Sequence, residues 1–249
     1  MDVYYRPTSS NCMFVSKVGQ RNAFSSCRFV PLEEGFNKRI MQLQQIKGRA
    51  AFIWGDGCSH DESYFFTKNT KVKVKANIDY HDDDYLYAGK VTCANHMRRA
   101  AMDGIETIVP SFDVPIEQHF VVPYYNLLSQ IRSRAADLGK GELALSVDAD
   151  LIKNFPAFLK WTNQHGLEME EIADAVRSLG TKILRFDLGG MIEKMPEFQL
   201  TESMEKPTTT ESEDVARDFA PSQSVIEKVG NYAFNAYSAI LAAFVQSEN

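Results

Sequence analysis

The sequence predicts an α/β fold: a three-layer α-β-α domain around a mainly parallel central sheet. Two observations predict it. Short apolar runs alternate with segments of helical periodicity along most of the chain, the pattern of repeated β-α units. Three of the apolar runs are followed by unusually polar segments, and open parallel sheets place their ligands just beyond the carboxyl ends of strands.

The expected strands are Ala50–Trp54, Val72–Ile78, Glu106–Val109, Phe120–Val122, Leu143–Val147 and Lys182–Phe186. Ala50–Trp54 is apolar throughout, as a strand covered on both faces requires. Val72–Ile78 alternates first and then turns apolar. Helices are expected over Pro31–Ile46, Tyr124–Leu138 and Glu168–Leu179. The last of these puts Ile172, Val176 and Leu179 on one face and stops at Gly180, a residue suited to the position after a helix. Residues 201–222 are acidic and rich in Thr and Ser, and they read as a surface loop. Ser224 and Glu227 then form a capping-box pattern. Residues 223–246 read as a C-terminal helix that docks back on the body. One helix is too little for a second domain, so residues 1–249 are expected to form a single domain.

The 249 residues carry 27 Lys+Arg against 33 Asp+Glu, a net charge of -6. That balance, without a long basic run, argues against a nucleic-acid partner. No apolar run approaches the ~18–20 residues that span a bilayer, so no membrane partner is expected. Met1–Arg6 is polar and has no basic-then-apolar leader. The cysteines Cys12, Cys27, Cys58 and Cys93 are scattered. Together these features lead to the expectation of a cytoplasmic protein with reduced thiols.

The chemistry is concentrated in three segments. The first strand is followed by Gly55-Asp56-Gly57-Cys58-Ser59-His60, the second by Asp79-Tyr80-His81-Asp82-Asp83, and Leu143–Val147 by Asp148-Ala149-Asp150. In extended chain, residues two apart point to the same side. Asp79, His81 and Asp83 can therefore converge, and Asp148 with Asp150 repeats the pattern. Gathering these carboxylates without a cation would be costly through repulsion and desolvation. Four carboxylates with two imidazoles suit a pair of borderline-hard divalent ions such as Mn²⁺.

The order His60, Asp79-x-His81-x-Asp83, Ser146-x-Asp148-x-Asp150 resembles the ureohydrolase superfamily of arginases and agmatinases, whose motifs are GxDH, DxHxD and SxDxD. Gly166-Leu167-Glu168 with Glu171 resembles the family's following GLT-x-x-E helix, and Asn95-His96 its loop asparagine and histidine. The resemblance runs from about Ala50 to Glu193. It implies two Mn²⁺ per chain, with Asp79 and Asp148 shared between the ions. His60 and Asp83 complete one shell, His81 and Asp150 the other. It further implies a metal-activated water that attacks a guanidinium carbon, with His96 as proton relay and Asn95 near the substrate. A carboxylate should grip the guanidinium; Glu193 is favoured for this and Asp187 is its rival.

The sequence also departs from the family. Gly57 follows Asp56 where the family has its first histidine, so His60 enters by substitution. The family's Asp-Pro and its Gly-Thr-Gly-x-Pro loop are missing after Asp150, and Leu151–Leu167 is short. A shorter rim would admit a guanidinium still attached to a chain. These features resemble the peptide arginase branch, which makes ornithine from arginine side chains in ribosomally synthesised peptides. The expected partner is therefore a precursor peptide. Three alternatives remain: a ureohydrolase of free arginine or agmatine, a one-zinc deacetylase-like hydrolase, and a metal-binding protein without turnover.

Overall fold

The computed structural model of the chain describes residues 1–55, 61–79, 95–110, 119–122, 124–153, 166–189 and 223–247. Its strands are β1 (Asp2–Tyr5), β2 (Arg28–Pro31), β3 (Ala50–Gly55), β4 (Val74–Ile78), β5 (Glu106–Pro110), β6 (His119–Val122), β7 (Leu143–Asp148) and β8 (Ile183–Gly189). They form an eight-stranded sheet in the order β2-β1-β3-β8-β7-β4-β5-β6. Each described pairing is parallel, so all carboxyl ends lie along one edge. The helices are α1 (Ser9–Val18), α2 (Phe36–Gln45), α3 (Asp61–Thr67), α4 (His96–Met102), α5 (Tyr124–Ala136), α6 (Met169–Leu179) and α7 (Gln223–Gln246). The expected three-layer α-β-α architecture is the one observed.

Most sequence-predicted elements recur within a residue or two, and the differences have local causes. The segment expected as one helix from Pro31 to Ile46 divides: Pro31 ends β2, and Gly35, at φ 89°, turns the chain into α2. Such a φ is costly for a side-chain-bearing residue. Lys182 does not begin β8. Its Nζ donates to the carbonyls of Ala135 (2.5 Å), Ala136 (3.1 Å) and Leu138 (3.0 Å) and so satisfies the end of α5. A capping box occurs at α6, where Glu168 and Glu171 reciprocally bond each other's backbone. Helix α7 begins at Gln223, one residue before the expected cap Ser224. The loop expected over residues 201–222 lies outside the described residues. Strands β1 and β2 were not anticipated: four residues each, with Asp2 and Arg28 among them, they lack a long apolar run.

The main core lies on one side of the sheet. There Phe14 and Val18 of α1, Leu127 and Ile131 of α5, Ile172 and Val176 of α6, and Ile240 and Phe244 of α7 meet the apolar side of the strands. Side chains of this size contribute about 1.5–3 kcal/mol each when buried. The second cluster, with Leu43 of α2, Phe66 of α3, Phe52 and Trp54, is smaller and covers the other side of β3. Arg39 of α2 and Glu62 of α3 form a buried ion pair at 2.6 Å that joins the two helices on that side.

Arg185 locks the lower part of this layer. Its guanidinium is buried in β8 and donates to the carbonyls of Phe66 (2.9 Å), Ile46 (2.7 Å) and Gly48. Replacing it with methionine keeps much of the volume but strands these acceptors, at about 1–3 kcal/mol each. Arg185→Met should therefore lower unfolding free energy by several times the typical surface substitution, as read by urea denaturation.

Candidate active site

Side-chain alternation gives the sheet two unlike faces. On β4, Val74, Ala76 and Ile78 enter the main core, while Lys75, Asn77 and Asp79 are buried on the opposite face. On β7, Leu143, Leu145 and Val147 enter the core, leaving Ser146 and Asp148 opposite. The polar face rises in tiers toward the carboxyl edge. Strand register aligns Lys75 with Ala144 and Arg185, then Asn77 with Ser146 and Asp187. Beyond the last pair between these two strands, Ile78 with Val147, come Asp79, the first residue after β4, and Asp148, the last of β7, which pairs with Gly189.

The middle tier is a closed polar network around Asp187. Its carboxylate accepts from Trp54 Nε1 at 3.0 Å, Ser63 Oγ at 2.8 Å and Ser146 Oγ at 2.5 Å. Lys75 Nζ in turn donates to Ser63 Oγ at 2.7 Å. Lys75, Ser63, Ser146 and Asp187 are all essentially excluded from solvent. The indole reaches Asp187 by two devices. The register of β3 against β8 slips between Ile53 and Gly55, so Trp54 is the extra residue of a bulge. A Cβ on Gly189 would lie 2.0 Å from the Trp54 ring, so only glycine allows that ring against β8. Across the sheet, Tyr237 of α7 donates its hydroxyl to the Gly189 carbonyl.

The top tier carries the candidate chemistry. Asp79 is fully buried and Asp148 is 5% exposed, the first just past the end of β4 and the second at the end of its neighbour β7. Asn77 Nδ2 donates to Asp79 Oδ2 at 3.2 Å. The chain runs on from β4 toward α4, on the polar side, and from β7 toward α6, on the apolar side. Open parallel sheets place their ligands at such carboxyl strand ends. Asn95 and His96, at the start of α4, are both buried.

The expected ligand set is only partly placed. His60, His81 and Asp83 lie outside the described residues, as do Glu193, Cys58 and Cys93. Asp150 falls in a short 3-10 turn, Ala149–Leu151, because β7 ends at Asp148. The extended alternation expected for Asp148-x-Asp150 therefore does not hold. Asp187 does not end its strand either; β8 continues to Gly189, and the carboxylate is engaged by Trp54, Ser63 and Ser146. Among the described residues, no three His, Cys, Asp or Glu side chains form a metal-binding group. Sequence reasoning overlooked Lys75, Asn77, Ser63 and Trp54. A signal existed for the first two: Lys75, Asn77 and Asp79 recur at every second position of an otherwise apolar strand.

Beyond β7 the chain closes on itself. Ile152 pairs with Leu167, Leu167 N–H donates to Leu151 O, and Lys153 N–H donates to Leu167 O, both at 2.8 Å. Gly166 makes this possible, since a Cβ there would lie 2.3 Å from the Leu151 carbonyl oxygen. Lys153 and Glu168 add a surface ion pair at 2.5 Å.

No family model and no curated protein matches the sequence. Solved structures do match in fold. The agmatine ureohydrolase of Thermoplasma volcanium superposes with a TM-score of 0.66 at 15% identity, covering 99% of this chain and 89% of that one. An arginase from Medicago truncatula gives 0.61 at 12% identity, over 99% and 86%. A manganese-bound formiminoglutamase variant from Trypanosoma cruzi gives 0.62 at 11% identity, over 98% and 92%. The chain thus has the arginase-like α/β fold over nearly its whole length.

Asp61, the first residue of α3, has its carboxyl raised to about 7 by burial and by the neighbouring Glu62 carboxylate; the Glu62 N–H, Arg6 and Arg39 only partly oppose this. A folded-state value above the unfolded one means that stability is lost as pH rises through the folded value. Asp61→Asn removes that loss. It should stabilise the protein more at pH 8 than at pH 4, measured by urea unfolding at both values.

Proposed function

We propose that this chain is a divalent-metal-dependent hydrolase that converts arginine side chains of a ribosomally made precursor peptide to ornithine, releasing urea. The observation that carries the hydrolase reading is the pair Asp79 and Asp148, two buried carboxylates at the carboxyl ends of the paired strands β4 and β7. Acids so placed repel each other, and a shared cation removes the repulsion. Oxygen donors of this kind fit two Mn²⁺ ions. Asp79, Asp148 and Asp150, with His60, His81 and Asp83, would hold them. Such ions supply a water of lowered pKa and Lewis acidity toward the guanidinium.

The remaining roles fall to the chain's own side chains. His96, buried at the start of α4, would carry a proton to the departing ornithine amine, with Asn95 beside it on the substrate. Glu193 would accept the paired N–H donors of the guanidinium. Asp187 is the less suited acid, because three donors already hold it below the top tier.

The peptide substrate is supported by the short Leu151–Leu167 segment, whose ends pair directly at Ile152 and Leu167. A second reading, hydrolysis of a free small guanidino compound, is favoured by the names of the matched agmatine ureohydrolase and arginase. The chain spans 86% or more of their lengths, so length does not separate the two.

Urea release decides between them. Chelated protein should be inactive, and Mn²⁺ should restore urea release from arginine-containing precursor peptide but not from free arginine or agmatine. The opposite preference selects the second reading, and no urea from any of them removes both. Asp148→Asn should lower turnover by more than the ~10–100-fold typical of residues behind the metal ligands.

A further inference from the structure

A buried lysine lies near the start of β4, the strand beyond whose far end Asp79 stands. Lys75 stands four residues before Asp79, and Asn77 between them donates to the Asp79 carboxylate. It reaches Ser63 of α3, and Ser63 reaches Asp187 of β8. Asp187 also takes the hydroxyl of Ser146, two residues before Asp148 on β7, and the indole of Trp54 on β3. One relayed ion pair therefore joins β3, β4, β7, β8 and α3 in the layer directly under Asp79 and Asp148.

Side chains in this layer have little freedom. A buried carboxylate with three donors has well-defined positions for each of them, because losing any one leaves a costly vacancy. Ser63 is held from both sides, accepting from an ammonium and donating to a carboxylate. Lys75 also brings a positive charge into a region dense in acids, where like charges would otherwise push the strand ends apart.

We propose that Lys75, Ser63 and Trp54 are positioning residues for the metal site: through Asp187 they hold β4 and β7 so that Asp79 and Asp148, at the ends of these strands, are in place before any cation binds. This rests on the reading of Asp79 and Asp148 as metal ligands. Side chains behind metal ligands typically change metal affinity by ~10–100-fold when lost, and these act one step further through the strand backbone.

The test is Mn²⁺ titration calorimetry on the purified full chain, with thermal unfolding measured with and without Mn²⁺. Ser63→Ala removes one donor to Asp187 and the relay to Lys75; Trp54→Phe removes another donor with little change of shape. Each variant should fold and bind Mn²⁺ about tenfold more weakly. Ser63→Thr, which keeps the hydroxyl, should restore most of the affinity. If one variant fails to fold, the other carries the comparison. Lower unfolding temperatures with Mn²⁺ affinity within twofold of the parent chain would make the network purely structural and overturn the inference alone. A parent chain that binds no Mn²⁺ would overturn the metal reading and this inference with it.

Discussion

A carboxylate removed from water must be met by donors or by a cation, because the protein interior cannot otherwise offset its lost hydration. The polar face of this sheet is organised around that demand. Asp187 is met by donors alone, drawn from three different elements. Glu62 is met by Arg39. Asp79 and Asp148 lie further along, buried at the carboxyl ends of β4 and β7, where the proposed cations would meet the same demand.

The opposite face makes this arrangement affordable in stability. Four helices bury an almost wholly apolar surface against it, and this supplies the hydrophobic stabilisation on which the polar layer depends. The long C-terminal helix secures it at both ends. Arg49 donates to the Phe244 carbonyl and the Ser247 hydroxyl, both at 2.8 Å, while its guanidinium lies over the Phe244 ring. Tyr237 reaches through to the last carbonyl of β8. That strand end is thus gripped from both sides, by Tyr237 below and by Trp54 packed on Gly189 above.

Much of the fold was legible in the sequence. Ala50–Trp54 and Leu143–Val147 are apolar enough to declare central strands, and the 3.6-residue spacing of Ile172, Val176 and Leu179 declares α6. The first two strands were not legible: at four residues each, their stability comes from pairing with each other and with β3 rather than from their own pattern. Lys182 misled because its chemistry is that of a helix cap for α5, which lies far away in sequence.

At the site, the sequence by itself determined which carboxylates follow which strands, since alternation and apolar runs place Asp79 and Asp148 just where strands end. It did not determine that they end neighbouring strands, or that Asp187 is held by Trp54, Ser63 and Ser146. Register is a property of paired strands, and the donors to Asp187 come from residues separated from it by up to 133 positions. Those relations arise only when β7 and β8 are inserted between β3 and β4. Insertion brings together side chains that no local pattern relates.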